Sequence, residues 1–225
     1  MRDALIEANW NEILRAVGNR NIKVIAVSKT QPVEKLQEAY QAGVRIFGEN
    51  KIQEAIPKIQ GLQSLPIEWH FIGHLQTNKS REAVRFFSWI HSIDSIKLLQ
   101  HVEKEAIKQS KRTNLLLEVN LGGEESKSGT TEKDLPELLA AGRDLTWCRI
   151  YGLMTIPPFL EDVEEVRPYF QRLRELRDRY LPGYPELTEL SMGMSHDYLV
   201  AIEEGATMVR IGTALFGKRA PVTNG

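Results

Sequence analysis

Residues 22–30 read IKVIAVSKT, a short run of mostly β-branched apolar residues that ends abruptly in Ser28, Lys29 and Thr30. Seven further runs of the same kind follow at 44–47 (VRIF), 68–72 (EWHFI), 88–93 (SWIHSI), 115–119 (LLLEV), 149–154 (RIYGLM), 186–190 (ELTEL) and 207–211 (TMVRI). Several are nearly continuous in Val, Ile and Leu, as strands covered on both faces are. Amphipathic segments lie between them. Val33, Leu36 and Tyr40 recur at helical spacing between Pro32 and Gly43, a start and a stop signal. Leu99, Val102 and Ala106 repeat the pattern after Asp94, read as the N-cap. Val163, Val166, Phe170, Leu173 and Tyr180 do so again around Pro168, which must kink or start that helix. Ile6, Trp10, Ile13 and Val17 mark an extra helix before the first strand. Strands alternating with helices pair in parallel through right-handed crossovers. Eight such units predict an α/β fold, a single (β/α)8 TIM-type barrel, for which about 250 residues is typical. An open doubly wound sheet is the alternative, but no G-x-G-x-x-G follows the first strand.

Composition agrees with one globular unit. The chain has 225 residues, 42% hydrophobic and 26% charged, so a disordered or disulfide-scaffold class is excluded. No Ser/Pro/Gly-rich linker divides it, so 1–225 reads as one domain. The formal charge of −1 offers no field to recruit nucleic acid or an anionic membrane. Lys108, Lys111 and Arg112 form only a small basic patch at a helix end. Cys148 is the single cysteine, which suits a reducing compartment. The charged N-terminus lacks a signal-peptide core, and no apolar run approaches the ~18 residues of a membrane helix. The expectation is a soluble, cytoplasmic monomer.

The residues just past the runs are Ser28-Lys29-Thr30, Gly48-Glu49-Asn50, Gly73-His74, Asp94, Asn120, Thr155, Ser191-Met192-Gly193 and Gly212-Thr213. Polar groups and glycines thus gather at the carboxyl end of the barrel, where barrel active sites lie. Lys29 either snorkels to water from the rim or lends its amine to an aldehyde in a partly desolvated Schiff-base site. In VRIGTALFG (209–217) Gly212 lets backbone N–H groups approach an anion and Thr213 adds a hydroxyl. Ser191 and Ser195 of SMGMS come from the neighbouring loop, and Ser195 also suits a cap for the helix near Asp197. An aldehyde at one end and a phosphate at the other describe pyridoxal 5′-phosphate. Alternation on the last strand turns Arg210 into the barrel mouth, where a guanidinium facing the pyridine nitrogen keeps that nitrogen unprotonated. His70 and His74 share one strand face, but no third ligand joins them, so no metal site is expected. His74 instead lines the mouth.

AVSKT (26–30), FGEN (47–50), WHFIGHLQTNK (69–79), GLMTI (152–156), LSMGMSHD (190–197) and VRIGTALFG (209–217) occur in that order across almost the whole chain. In these segments the chain resembles the pyridoxal-phosphate homeostasis proteins (the YggS/PROSC family), whose fold is similar to the barrel domain of alanine racemase. The resemblance implies that Lys29 holds the cofactor as an internal aldimine, Arg210 faces its ring nitrogen, and Gly212 and Thr213 bind its phosphate with Ser191 or Ser195. Asn50 lies near the cofactor, and Met154 of GLMTI counts among its contacts. His196 stands where an acidic or small residue is expected. Alanine racemase adds a C-terminal β-domain, and its dimer supplies a tyrosine as second base; this chain is expected to lack that domain. The implied role is a carrier or buffer in vitamin B6 and amino-acid homeostasis, without efficient catalysis and with transient contacts to apoenzymes that use the cofactor. A small amino-acid racemase, a class I aldolase using Lys29, and a scaffold for a protein partner are the rivals. The segment 122–129 overhangs the mouth as a flexible loop, and its Lys127 is a second possible acceptor of the cofactor.

Overall fold

The computed structural model describes residues 4–123 and 128–217; Lys127 lies outside them. Eight parallel strands close into a barrel in sequence order: β1 Lys23–Val27, β2 Ile46–Glu49, β3 Glu68–Phe71, β4 Trp89–Ile93, β5 Thr113–Glu118, β6 Cys148–Met154, β7 Glu189–Met194 and β8 Met208–Ile211. Helices connect them: α2 Val33–Gln41, α3 Ile52–Gly61, α4 Ser80–Phe86, α5 Ile96–Gln109, α6 Leu135–Ala141, α7 Arg167–Tyr180 and α8 Tyr198–Glu203, with a single turn α9 Thr213–Phe216 after β8. The expected N-terminal helix is α1, Ala4–Val17, which buries Ile6, Trp10, Ile13 and Val17. Asn9 ties it to the segment after β8 by donating to the Leu215 carbonyl at 3.0 Å. Among the described residues no helix is long and apolar enough to cross a membrane.

Strand alternation divides the core in two. Outward residues such as Val24, Ala26, Phe47, Phe71, Val209 and Ile211 pack against the helices in the main core. Inward residues Ile25, Trp89, Leu116, Met154 and Met208 form a separate apolar cluster inside the ring. Met208 and Arg210 share the inner face of β8 because side chains alternate along a strand.

Several boundaries differ from the sequence expectation. β7 runs on to Met194 instead of ending at Leu190, because its apolar residues Leu190 and Met192 face the helices while Ser191 faces the ring interior. Ser191 therefore lies within a strand and not in a loop. β3 stops at Phe71, so His74 is past the strand and does not share a face with His70. Ser95, not Asp94, caps α5, its side chain accepting from the Leu98 N–H at 3.3 Å. Pro168 sits in the first turn of α7, where its missing N–H costs nothing.

Gly152 shows how tightly the ring closes. A Cβ there would lie 1.9 Å from the Glu189 carbonyl oxygen on β7, and backbone on neither strand has room to yield. Gly152→Ala is expected to lose at least about 3 kcal/mol in urea unfolding, at the upper end of overpacking costs. Gly183→Ala, with nothing within 4 Å of the added carbon, serves as the near-neutral control.

Candidate functional site

Lys29 lies in the turn directly past β1, half-buried, and is followed by Thr30 in the left-handed region at φ 64°. This turn is braced from behind. The Ser28 carbonyl accepts from the Gln31 N–H at 3.0 Å and from Lys58 Nζ at 2.8 Å. Lys58 Nζ also reaches Glu49 Oε1 at 2.7 Å, and Ser28 Oγ donates to the same oxygen at 2.6 Å. Glu49 is fully buried and Lys58 nearly so. Lys58 Nζ and Ser28 Oγ converge on one Glu49 oxygen, and Lys58 also holds the backbone that presents Lys29, while Glu49 Oε2 is buried without a partner, so the desolvation of the pair is offset only in part. In the sequence Glu49 is only one of the polar residues past a strand, where GEN reads as turn chemistry, and α3 supplies Lys58 from a remote position.

The end of β8 is the next-door neighbour of that turn. Ala26 pairs with Ile211, which sets Gly212 beside Val27; a Cβ on Gly212 would lie 3.5 Å from Val27 Cβ. Ser195 Oγ accepts from the Gly212 N–H at 3.0 Å and from the Ala214 N–H at 3.2 Å. Ser195 thus binds the turn after β8 and does not cap α8. That start is shaped by Asp197, whose Oδ1 accepts from the Met194 N–H at 2.6 Å. Two backbone N–H groups thus converge on one oxygen, with the exposed Thr213 beside them, the kind of arrangement that anion-binding turns use. The Lys29 turn and the Gly212–Ala214 turn both lie at the carboxyl ends of adjoining strands.

Arg210 lies inside the ring, 3% exposed. Its Nη1 donates to the Ser191 carbonyl at 2.8 Å and to Ser191 Oγ at 2.7 Å, and its Nη2 to the Thr155 carbonyl at 2.9 Å. Burial pulls the guanidinium down to about 10, still a cation at neutral pH. The polar chain continues inward: Ser191 Oγ lies 3.0 Å from His91 Nδ1, His91 Nε2 lies 2.9 Å from His70 Nδ1, and His70 Nε2 lies 2.6 Å from Glu68 Oε1. Burial holds both imidazoles below the usual histidine range, His91 far below it, with the Arg210 and Lys23 cations adding to the effect on His91. These directions favour neutral imidazoles at pH 7 beside an ionised Glu68, whose carboxyl is lowered by the hydrogen bond from His70. His91 and His70 face the ring interior. The sequence signal was present in His91 standing two residues from Trp89 on one strand, but its pairing with His70 depends on strand register.

The rim completes the mouth. Asn50 follows β2, its Oδ1 buried without a hydrogen-bond partner. Its backbone is approached so closely by Gly73 that a Cβ there would meet the Asn50 carbonyl oxygen at 2.2 Å. His74 is exposed and faces Asp94, Nδ1 to Oδ2 at 3.9 Å. Glu118 at the end of β5 accepts from Ser128 Oγ at 2.8 Å, and burial raises its carboxyl. Met154 is fully buried in the apolar floor below these groups. A separate hollow of about 360 Å³, lined by Leu139, Cys148 and Leu187 among others, lies at the amino end of β6, away from this constellation. Among the described residues no three metal-ligating side chains cluster.

Comparison with known proteins agrees with this geometry. A model of the alanine racemase N-terminal domain matches residues 3–220, so fold and site define a barrel of that class. Within it, the chain is similar to the pyridoxal phosphate homeostasis protein of Aquifex aeolicus, 49% identical over 203 residues and covering 90% of this chain and 89% of that one. It is likewise similar to the protein of the same name from Pseudomonas aeruginosa, 44% identical over 218 residues, 96% and 94% of the two chains. The solved structure of PipY from Synechococcus elongatus with PLP bound superposes with a TM-score of 0.88 at 40% identity, covering 94% of this chain and 100% of that one. The chain belongs to the pyridoxal phosphate homeostasis protein family.

Two measurements test the supports of the site. Lys58→Met leaves Glu49 buried without its cation and is expected to cost about 3–5 kcal/mol in urea unfolding; adding Glu49→Gln should recover much of it. The buried histidines predict a pH dependence as well. Above about pH 6.5 neither folded nor unfolded chain binds these protons, so the stability they permit is fully present. Below it the unfolded chain binds them and the folded one does not, so stability falls on acidification by up to about 1.4 kcal/mol per pH unit for each histidine. Glu118 acts in the opposite sense. The measured quantity is therefore the difference between wild type and His91→Phe, whose slope between pH 7 and 5 should be shallower.

Proposed function

We propose that the chain binds pyridoxal 5′-phosphate in the barrel mouth and carries or buffers it for vitamin B6 and amino-acid homeostasis, without efficient catalysis of its own. The observation that supports this most is the adjacency of the Lys29 turn to the Gly212–Ala214 turn across the β1–β8 pair. The turn that carries Lys29 adjoins the turn whose N–H groups converge, and a buried guanidinium lies on the inner face of β8. The similarity to a protein solved with PLP bound favours the same ligand. When bound, the cofactor supplies an aldehyde that an amine can attack.

Each residue then has a role in the reading. Lys29 gives the amine. The N–H groups of Gly212 and Ala214, with the hydroxyls of Thr213 and Ser195, hold the phosphate. Arg210 faces the ring nitrogen and, as a cation that only donates, keeps a proton off it, which weakens the ring as an electron sink. Asn50 and His74 line the rim, and Met154 is the apolar floor. Racemisation requires proton transfer on both faces of a substrate carbon, and this reading supplies one amine base and a weakened sink. A carrier, by contrast, needs affinity and an open mouth from which apoenzymes receive the cofactor.

Purified protein loaded with pyridoxal phosphate should absorb visible light, and borohydride should fix a pyridoxyl group on Lys29, mapped by mass spectrometry. Lys29→Ala should stay folded, since the residue lies in a half-buried turn outside the core, yet lose covalent capture. A protein that takes up no added cofactor would overturn the carrier reading and favour an aldolase that uses Lys29 directly on a sugar phosphate.

A further inference from the structure

The hydrogen-bond chain behind Arg210 crosses the inside of the barrel from β8 to the amino end of β3, and with both rings neutral its donors and acceptors run in one sense. Glu68 is ionised and only accepts, so His70 Nε2 carries a proton and donates to it. A neutral ring with its proton on Nε2 has a bare Nδ1, which must accept from His91 Nε2. His91 in turn has a bare Nδ1, and the only proton offered to it is that of the Ser191 hydroxyl. Ser191 Oγ is then left with its lone pairs for Arg210 Nη1, which can only donate. Every contact in the series is satisfied in this order. In the reverse order the buried His70 Nε2 would face the Glu68 carboxylate lone pair to lone pair at 2.6 Å, and the buried Ser191 hydroxyl proton would lose its acceptor at His91. Of the charged groups around the two rings, Lys23 on β1 and Arg210 on β8 oppose protonation of His91; Lys23 and burial oppose that of His70, whereas Glu68 on its own strand and Glu189 on β7 favour it. Trp89 stacks on His70 at 5.5 Å between centroids, which shields the ring from water.

We infer that Ser191, His91, His70 and Glu68 are a one-sense positioning relay that holds the Arg210 guanidinium against the cofactor ring, so that Ser191 is a positioning residue. This rests on the proposed cofactor site for its purpose, but the relay itself is a property of the cofactor-free chain. Its terminal carboxylate fixes both tautomers, and cooperative polarisation along such a series strengthens each bond. The result is an oxygen at Ser191 that presents lone pairs, not a proton, to Arg210.

The first test is independent of the cofactor. Nitrogen NMR of histidine-labelled protein at pH 7 should show both His70 and His91 neutral with the proton on Nε2; a proton on Nδ1 of either ring, or a charged ring, overturns the relay. The second reads the cofactor directly. Ser191→Ala should bind added pyridoxal phosphate about tenfold more weakly, the usual scale for a buried donor left without its acceptor, and should shift the visible band, while Ser191→Thr restores both. If Ser191→Ala does not fold, His91→Phe, close in ring size, takes its place with the same direction expected. A folded variant with wild-type affinity and band overturns the positioning role while leaving the carrier reading intact. Wild-type protein that binds no cofactor overturns the carrier reading and the role toward the ring together, and the relay's sense is then decided by the NMR result alone.

Discussion

The pairing of β8 with β1 is the constraint on which the rest depends. Without that pair the eight strands would be an open parallel sheet with two raw edges, and Lys29 and Gly212 would sit at its opposite ends. Closure satisfies both edges and places the two turns in contact, with Ala26 opposite Ile211. It also creates the enclosed interior in which Arg210, Ser191 and the two histidines meet. The same ring leaves no room for a side chain at Gly152, where β6 and β7 press together.

The interior is unusual in how it divides between apolar and polar contents. Ile25, Trp89, Leu116, Met154 and Met208 fill part of it as an ordinary barrel core, while a file of hydrogen-bonded groups threads beside them. Burying a guanidinium is costly unless its protons are accepted, and Ser191 and Thr155 accept three of them. Behind the mouth, Glu49 and Lys58 apply the same logic outside the ring. Both arrangements stabilise a particular placement of a functional side chain more than they stabilise the fold, since buried ion pairs gain little against apolar packing of equal volume.

That division bears on the proposed function. A site that holds an aldehyde cofactor without turning it over needs firm anchoring and a poor electron sink. A guanidinium locked from behind suits the second need, and amides that converge on one point suit the first. Of the rim residues, His74 is exposed, whereas Glu118 and the Asn50 side-chain oxygen are buried.

Much of this was legible in the linear chain. Eight apolar runs separated by helical periodicity identify the barrel, because burial on both faces leaves a compositional mark on each strand. Lys29 and VRIGTALFG stand out because a lysine and a glycine-rich turn are poor company for buried strands. Local pattern was less informative at boundaries. Leu190 and Met192 carry β7 past the point where SMGMS reads as a loop, and Ser95 outcompetes Asp94 as a cap by one residue. Such choices turn on single hydrogen bonds. The Glu68–His70–His91–Ser191–Arg210 file and the Lys58–Glu49 brace belong to the tertiary structure alone. Each joins residues from different strands or helices, and their contact is set by register and by closure of the ring, quantities that periodicity does not encode. The sequence by itself determined which elements form and which side chains are chemically exceptional. Which of those side chains touch was decided only when β8 met β1, because a parallel barrel brings distant segments together through backbone pairing that no local signal records.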